Sequence, residues 1–317
     1  MKQPTIYREV RTNLVYRWFC VFVDSGRTVL TSDGNIYVFQ TTICLYVFFS
    51  IYLRQMDAAD YCHYSTYSQL IFCFLPDLSE IPYERKLQSR GLVRFLPVML
   101  RSLPELYRNH IWVDVAFVPV SVPDEQGYCG LGISNYAWRT IFENARTVVF
   151  EINERLSRLQ GVEGSHRVHL SEADYIVEGE HEPLPVRSYK EASEVDKRIA
   201  ELVVAEIPDG VLLSLGVGGV PFTVANMITQ SDLKDIGCHT GTISDAFLAL
   251  HRAGKLTNAC KEVDRGLSTW NLAMGSQELY DWLDAEPQLF HPGDLDYVQN
   301  PYRIGEMKHV ISINGGV

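Results

Sequence analysis

Residues 211–221 read Val-Leu-Leu-Ser-Leu-Gly-Val-Gly-Gly-Val-Pro. Val211 to Leu215 is a short, largely apolar run, as expected of a strand in the middle of a sheet covered on both faces. It enters a glycine-rich turn, Gly216-Val217-Gly218-Gly219-Val220, and Pro221 stands where a helix would take its first residue. Glycines let backbone N–H groups approach a ligand closely, and a helix start adds partial positive charge. That combination suits a phosphate, a pyrophosphate or a developing oxyanion. From these residues alone two readings stay open: a ligand-binding loop, or glycines that only permit a tight strand-to-helix turn. Nicotinamide binding is disfavoured, because Pro221 replaces the third glycine of GxGxxG and no acidic strand end stands ready to hold a ribose.

Working outward, the same βα rhythm recurs on both sides. Pro208-Asp209-Gly210 forms a turn before the strand, and a helix is predicted from Ser193, with Glu194 and Asp196 in its first turn. Ile199, Leu202, Val203 and 205–207 are predicted to be its buried face. Downstream, Ser244 is a candidate cap for a helix carrying Asp245, Phe247, Leu248 and Leu250, and Gly254 stands where such helices stop. Ser276 caps a third, whose Leu279, Trp282 and Leu283 pack inward. Upstream, Trp112 to Val122 and Val148 to Ile152 read as strands. Between them Tyr136 to Ala145 has helical spacing, with Trp138, Ile141 and Ala145 on one side. Strand, helix, strand in that order predicts a parallel α/β unit. Pro183 and Pro185 break both periods, so residues 181–190 are predicted to be a linker.

A second motif, Ser121 to Gly132 (SVPDEQGYCGLG), places Pro123, Gly127, Gly130 and Gly132 in a compact turn after a predicted strand. Asp124 and Glu125 are candidates for an acid–base pair, although adjacent carboxylates on a turn are more often solvated.

The chain has 317 residues, 46% hydrophobic and 21% charged, the balance of a folded globular protein. A net charge of −11 argues against binding the phosphate backbone of nucleic acid, while leaving a local pocket for a phosphorylated cofactor open. Seven scattered cysteines without CxxC fit a reducing, cytoplasmic compartment. Nine dispersed histidines with no HExxH give a metal cofactor little support. Ile36 to Leu53 is nearly free of charge and long enough to cross a bilayer as a helix. Its β-branched and aromatic residues, diluted by Gln40, Thr41, Thr42 and Ser50, read better as buried strands or a leader segment.

The motifs in order resemble the acetyl-CoA hydrolase/transferase family, within it the butyryl-CoA:acetate and 4-hydroxybutyrate CoA-transferases. The residues that carry the resemblance are SVPDEQGYCGLG, Glu151-Ile152-Asn153-Glu154 and HLSEADYIVEG (169–179). It continues through EVDKRIAEL, IPDG, LGVGGVP, SDLKDIGCHT, AMGSQELYDWLD and ISIN, and so covers the chain from about Leu92 to its end. The resemblance implies an α/β fold of two tandem open, mostly parallel domains, with coenzyme A or acyl-CoA bound between them as substrate and no metal. It implies domains at 57–185 and 186–317, both incomplete, after an unassigned leader at 1–56. It implies acyl transfer from a short-chain acyl-CoA to a carboxylic acid through a glutamyl-CoA thioester. The same resemblance assigns Gly216, Val217, Gly218, Gly219 and Val220 to the CoA site and brings Gly316 to it.

The departure lies at the nucleophile. Where the family has His-Thr-Glu-Met, this chain has His239-Thr240-Gly241-Thr242. Gly241 has no side chain with which to attack a thioester, so the expectation is an impaired transferase, or a non-catalytic CoA-binding protein. The expected partners are short-chain acyl-CoA and carboxylic acids, with self-association or pairing with a full-length subunit, and no nucleic acid.

Overall fold

The structure, a computed structural model, describes residues 99–314 apart from 179, 180, 182, 185 and 187–191. Before residue 99 it describes the backbone of several short strands, Thr5–Tyr7, Thr28–Leu30, Ile36–Val38, Gln40–Thr42, Leu45–Tyr52, Leu70–Cys73 and Val93–Leu96. Gly316 and most of the expected linker lie outside the described residues. The chain divides into two compact units: Met1–Val122 with Ala137–Glu154 and His169–His181, and Pro123–Tyr136 with Arg155–Val168 and Glu182–Val317. Two segments that a single cut between 185 and 186 would leave with the first unit thus pack with the second.

In the first unit the strands are β1 (Thr5–Tyr7), β2 (Gln40–Thr42), β3 (Leu45–Tyr52), β4 (Trp112–Val120), β5 (Ala145–Ile152) and β6 (Tyr175–Glu178). They form one sheet in the order β1-β6-β5-β4-β3-β2. β4, β5, β6 and β1 pair in parallel, whereas β3 joins β4 and β2 joins β3 antiparallel. The backbone of 36–38, 40–42 and 45–52 is therefore strand, and among the described residues no helix is long and apolar enough to cross a membrane. Helix α1 (Leu103–Asn109) precedes β4, and α2 (Trp138–Asn144) links β4 to β5. Trp138 and Ile141 are buried as the helical spacing requires, and Phe142 reaches Phe150 of β5 at 5.9 Å between rings. Ala145 is not helical: it opens β5, which starts three residues earlier than the apolar run Val148 to Ile152 suggests.

The second unit carries β7 (Leu212–Leu215), β8 (Gly237–Ile243), β9 (Ser268–Ala273), β10 (Phe290–Pro292) and β11 (Val310–Ile313). The order is β10-β9-β8-β7-β11 and every pair is parallel. β7 has a neighbour on each side, and Leu212, Leu213 and Leu215 are at most 1% exposed, which is why its sequence lacks polar alternation. The connecting helices are α3 (Glu194–Val204), α4 (Gly219–Gln230), α5 (Asp245–Arg252) and α6 (Gln277–Ala285). Ser193 and Asp196 make a reciprocal capping box at the start of α3, and Ser276 accepts from the Leu279 N–H to cap α6. Ser244 stands at the cap position of α5 but makes no side-chain cap bond. Gly254, at φ 67°, ends the turn after α5 in the left-handed region that favours glycine. Phe247, Leu250, Leu279 and Leu283 are fully buried.

Two expectations are corrected here. The expected face of α3 is only partly covered: Ile199 and Leu202 are 41 and 58% exposed, with Val195 beside them 67%, whereas Val203 is half-buried, Ala200 is the buried residue of the helix and Ile207 beyond its end is buried. The apolar residues do form a stripe, but α3 packs beside α4 with Ile199 and Leu202 left exposed. Pro221 is the third residue of α4, which begins at Gly219. Proline is tolerated there for the same reason as one turn position earlier, because the first N–H groups of a helix have no partner within it.

Candidate functional site

All strands of the second sheet run the same way, so their carboxyl ends lie along one edge. The turn Gly216–Gly218 after β7, the end of β8 around Gly241, and Ser276 after β9 gather there. The Gly216 N–H donates to Ile313 O at 2.9 Å, and Thr240 Oγ donates to Leu215 O at 3.2 Å, which ties β8 to the strand before the loop. A Cβ at Gly216 would run into the side chain of Asn314, which follows β11. At Gly218, by contrast, nothing lies closer to such a Cβ than Pro221 Cδ at 3.7 Å. The loop therefore packs closely on one side and is open on another, with the N-terminus of α4 behind it. The carboxylate of Asp196 lies 3.5 Å from the Cβ position of Gly219, so that face of the helix start already has a negative neighbour.

Gly241 sits opposite Asn271 in the β8–β9 register. A Cβ there would meet one group within 3 Å, the Gln299 Nε2 at 2.6 Å, and the next atom is 3.9 Å away. Gln299 Nε2 donates to Asn271 Oδ1 at 3.2 Å, and Asn271 Nδ2 donates to Gly293 O at 2.8 Å. Among the described residues no carboxylate lies within 4 Å of that Cβ position. Asp245 accepts from Ser276 Oγ at 2.5 Å and from Ser276 N at 3.0 Å, so it serves to bind the turn before α6. His239 donates from Nε2 to Val298 O at 2.8 Å, which leaves Nδ1 as a bare acceptor, buried and without a partner. Burial pulls its pKa down to about 4, so it is a neutral packing residue at physiological pH. Thr242 and Ser244 have hydroxyls, and among the described residues no base is hydrogen-bonded to either one.

The SVPDEQGYCGLG segment splits between the units after Val122. Asp124 Oδ1 accepts from the N–H groups of Gln126 and Tyr128, both at 2.9 Å, and Oδ2 accepts from Gln160 Nε2 at 2.9 Å. Those bonds hold its pKa below the usual carboxylate range, that from Gln160 first. Asp124 is a turn-forming carboxylate and Glu125 is exposed, so the structure brings no acid–base pair together there. The following residues run onto β9, where Ser134 bridges Leu272 and Asn135 N donates to Asn271 O at 2.7 Å. Neighbouring His166 is wholly buried, donates from Nε2 to Gly132 O at 2.8 Å, and is likewise pulled down to about 4 by burial.

Two polar clusters were not visible in the sequence. In the second unit Lys261, 3% exposed, donates to Cys238 O, Leu267 O and Thr269 Oγ at 2.7–2.9 Å, and burial lowers its pKa to about 8. Thr269 passes the chain to Asp264, which also accepts from His291 and Tyr297. Burial works to raise the Asp264 pKa, but these bonds outweigh it and hold it well below the carboxylate range. In the first unit His181 lies between Glu151 and Glu154, at 3.3 and 2.8 Å; the Glu151 bond first, then Glu154, raise its pKa against the opposing effect of burial. The bonds that close each cluster, from Asp264 to His291 and Tyr297 and from His181 to Glu151 and Glu154, span 27 to 33 residues, so no spacing rule finds them. Among the described residues no group of three or more His, Cys, Asp or Glu is placed to hold a metal ion.

Comparison with known proteins follows the same lines. Residues 80–187 match the acetyl-CoA hydrolase/transferase N-terminal domain. The chain is 39% identical over 237 residues to the butyryl-CoA:acetate CoA-transferase of Anaerostipes caccae, covering 74% of this chain and 52% of that protein. It is 33% identical over 230 residues to the 4-hydroxybutyrate coenzyme A transferase of Clostridium kluyveri, covering 72 and 52%. Among solved structures, RipA from Yersinia pestis superposes with a TM-score of 0.70 at 32% identity, over 77% of this chain and 56% of that one. The 4-hydroxybutyrate CoA-transferase of Porphyromonas gingivalis superposes with a TM-score of 0.65 at 28% identity, over 81 and 64%. The chain spans about half the length of the curated relatives it matches. On these grounds, residues 80–187 belong to the acetyl-CoA hydrolase/transferase family, and the chain is similar to CoA-transferases over 72–74% of its length.

Proposed function

We propose that this chain keeps the acyl-CoA-binding scaffold of an acyl-CoA:carboxylate CoA-transferase and that Gly241 leaves it without the attacking carboxylate. The substrates on this reading are a short-chain acyl-CoA and acetate or a similar acid. The names of the relatives support that class. In the full reaction a glutamate carboxylate attacks the thioester carbonyl and CoA leaves as the thiolate; CoA then opens the acyl anhydride at the glutamyl carbonyl, releasing the acyl group as its free acid, and a second carboxylic acid takes CoA from the resulting glutamyl thioester. The tetrahedral species on that path need fixed backbone donors, a role suited to the N–H groups of Val217–Val220, since that of Gly216 is taken by Ile313 O. The observation that carries the proposal is the surroundings of Gly241: one glutamine amide beside it, Asp245 engaged with Ser276, and a neutral His239 turned to Val298.

The test is mass spectrometry after incubation with butyryl-CoA. The wild-type chain is expected to carry no labile adduct. An adduct on any residue of this chain would overturn the reading.

The exposed stripe Val195, Ile199 and Leu202 favours a second reading, in which the chain pairs with a sister subunit through α3 and acts without turnover of its own. Co-purification with a full-length relative supports it, and a monomer that turns over acyl-CoA removes it.

A further inference from the structure

The neighbour of Gly241 is itself organised. Asn271 is wholly buried, and its amide orientation follows from its partners. Gly293 O can only accept, so the group facing it is the Asn271 Nδ2, at 2.8 Å. Asn271 Oδ1 therefore faces Gln299, and an oxygen requires a donor, so Gln299 presents its Nε2 there at 3.2 Å. The chain from Gly293 through Asn271 fixes which end of the Gln299 amide points toward Gly241. A primary amide nitrogen has two N–H groups. One goes to Asn271. The other makes no hydrogen bond among the described residues, on a half-buried side chain whose nitrogen lies 2.6 Å from where a Cβ at Gly241 would stand.

We propose that Gln299, oriented by Asn271, takes over the space at Gly241 and offers a neutral N–H donor to the carbonyl or carboxylate oxygen of the ligand. The proposal rests on the acyl-CoA-binding reading above. A carboxylate at position 241 would meet the electrophilic carbon of a thioester. An amide N–H instead meets its oxygen, and no bond is made or broken. The glycine and the glutamine act as a matched pair, because the amide could not stand where it does beside a side chain at 241. The site thus holds an acyl group rather than exchanging it. The shared chemistry is an sp² oxygen acceptor, supplied by the thioester of an acyl-CoA or by a free carboxylic acid.

Isothermal titration with three probes tests this: butyryl-CoA, S-butyl-CoA, which has a methylene in place of the carbonyl, and butyrate. The wild-type chain is expected to bind butyryl-CoA about five- to tenfold tighter than S-butyl-CoA, the size of one hydrogen bond. Gln299→Met removes that preference and leaves S-butyl-CoA within about twofold. Gln299→Glu, of the same shape, does the same and serves as the second variant should the first misfold. Butyrate binding that vanishes in both variants identifies the free acid as an additional source of the oxygen. Equal affinities for butyryl-CoA and S-butyl-CoA in the wild type, or a preference that survives both substitutions, overturns the proposal while leaving CoA binding intact. Failure of both CoA compounds to bind overturns the underlying reading and the proposal with it.

Discussion

Gly130 and Gly241 lie in the same unit, and each has an atom within 3 Å of where a Cβ would stand, yet they are glycines for different reasons. At Gly130 the obstacles are backbone: Leu159 O at 2.7 Å, Ser157 O at 2.9 Å and the Arg158 carbonyl carbon at 3.1 Å. Backbone held in a packed loop cannot step aside, so any side chain there strains the fold. At Gly241 the obstacle is the far end of one glutamine side chain, with the next atom 3.9 Å away. The first glycine is demanded by architecture. The second is not, and the absence of a carboxylate there is a chemical feature that the surrounding structure has filled but does not enforce.

Each region also leans on a buried histidine, and that gives the largest expected effect. His166 supports Gly132, two residues from Gly130, and His239 supports Val298, next to Gln299. Both folded-state pKa values are pulled by burial to about 4. Above pH 6.5 both folded and unfolded chains hold these rings neutral, and nothing is lost. Between pH 6.5 and 4 the unfolded chain takes up protons that the folded one refuses, so stability falls with pH, by roughly 3 kcal/mol for each histidine. Urea unfolding at pH 7.5 and 4.5 measures this. His166→Gln or His239→Gln should each remove about one share of the fall, and an unchanged slope in both would contradict the assignment.

Next in size is the contrast between the glycines themselves. Gly130→Ala is expected to destabilise by about 3 kcal/mol, as overpacking against fixed backbone does. Gly241→Ala, which only displaces the Gln299 amide, should stay within about 1 kcal/mol. Denaturant midpoints of the two variants decide the matter: equal losses would show that Gly241 is as architectural as Gly130.

Much of this was legible in the sequence where local physics dominates. The run of apolar residues at 211–215 has to be a central strand, Ser193 and Ser276 have to cap, and Trp138 with Ile141 has to face inward. The α3 stripe misled because periodicity reports amphipathicity and not what covers it: Ile199 and Leu202 are spaced like core residues and stand exposed. The pairing of Gln299 with Gly241 was out of reach for another reason. It joins residues far apart in the chain across two strand connections, and nothing about a glutamine after Val298 announces that its amide will be aimed by a buried asparagine on β9. Similar separation hid the Asp264–His291 bond and the His181 clamp.

The central claim is that the scaffold survives while the attacking group is gone. The direct measurement is exchange of labelled CoA between butyryl-CoA and acetate by the purified wild-type chain, run beside CoA binding on the same preparation. The account predicts binding of CoA with no exchange above the uncatalysed background. Exchange at an ordinary enzymatic rate of about 1 per second or faster would contradict it.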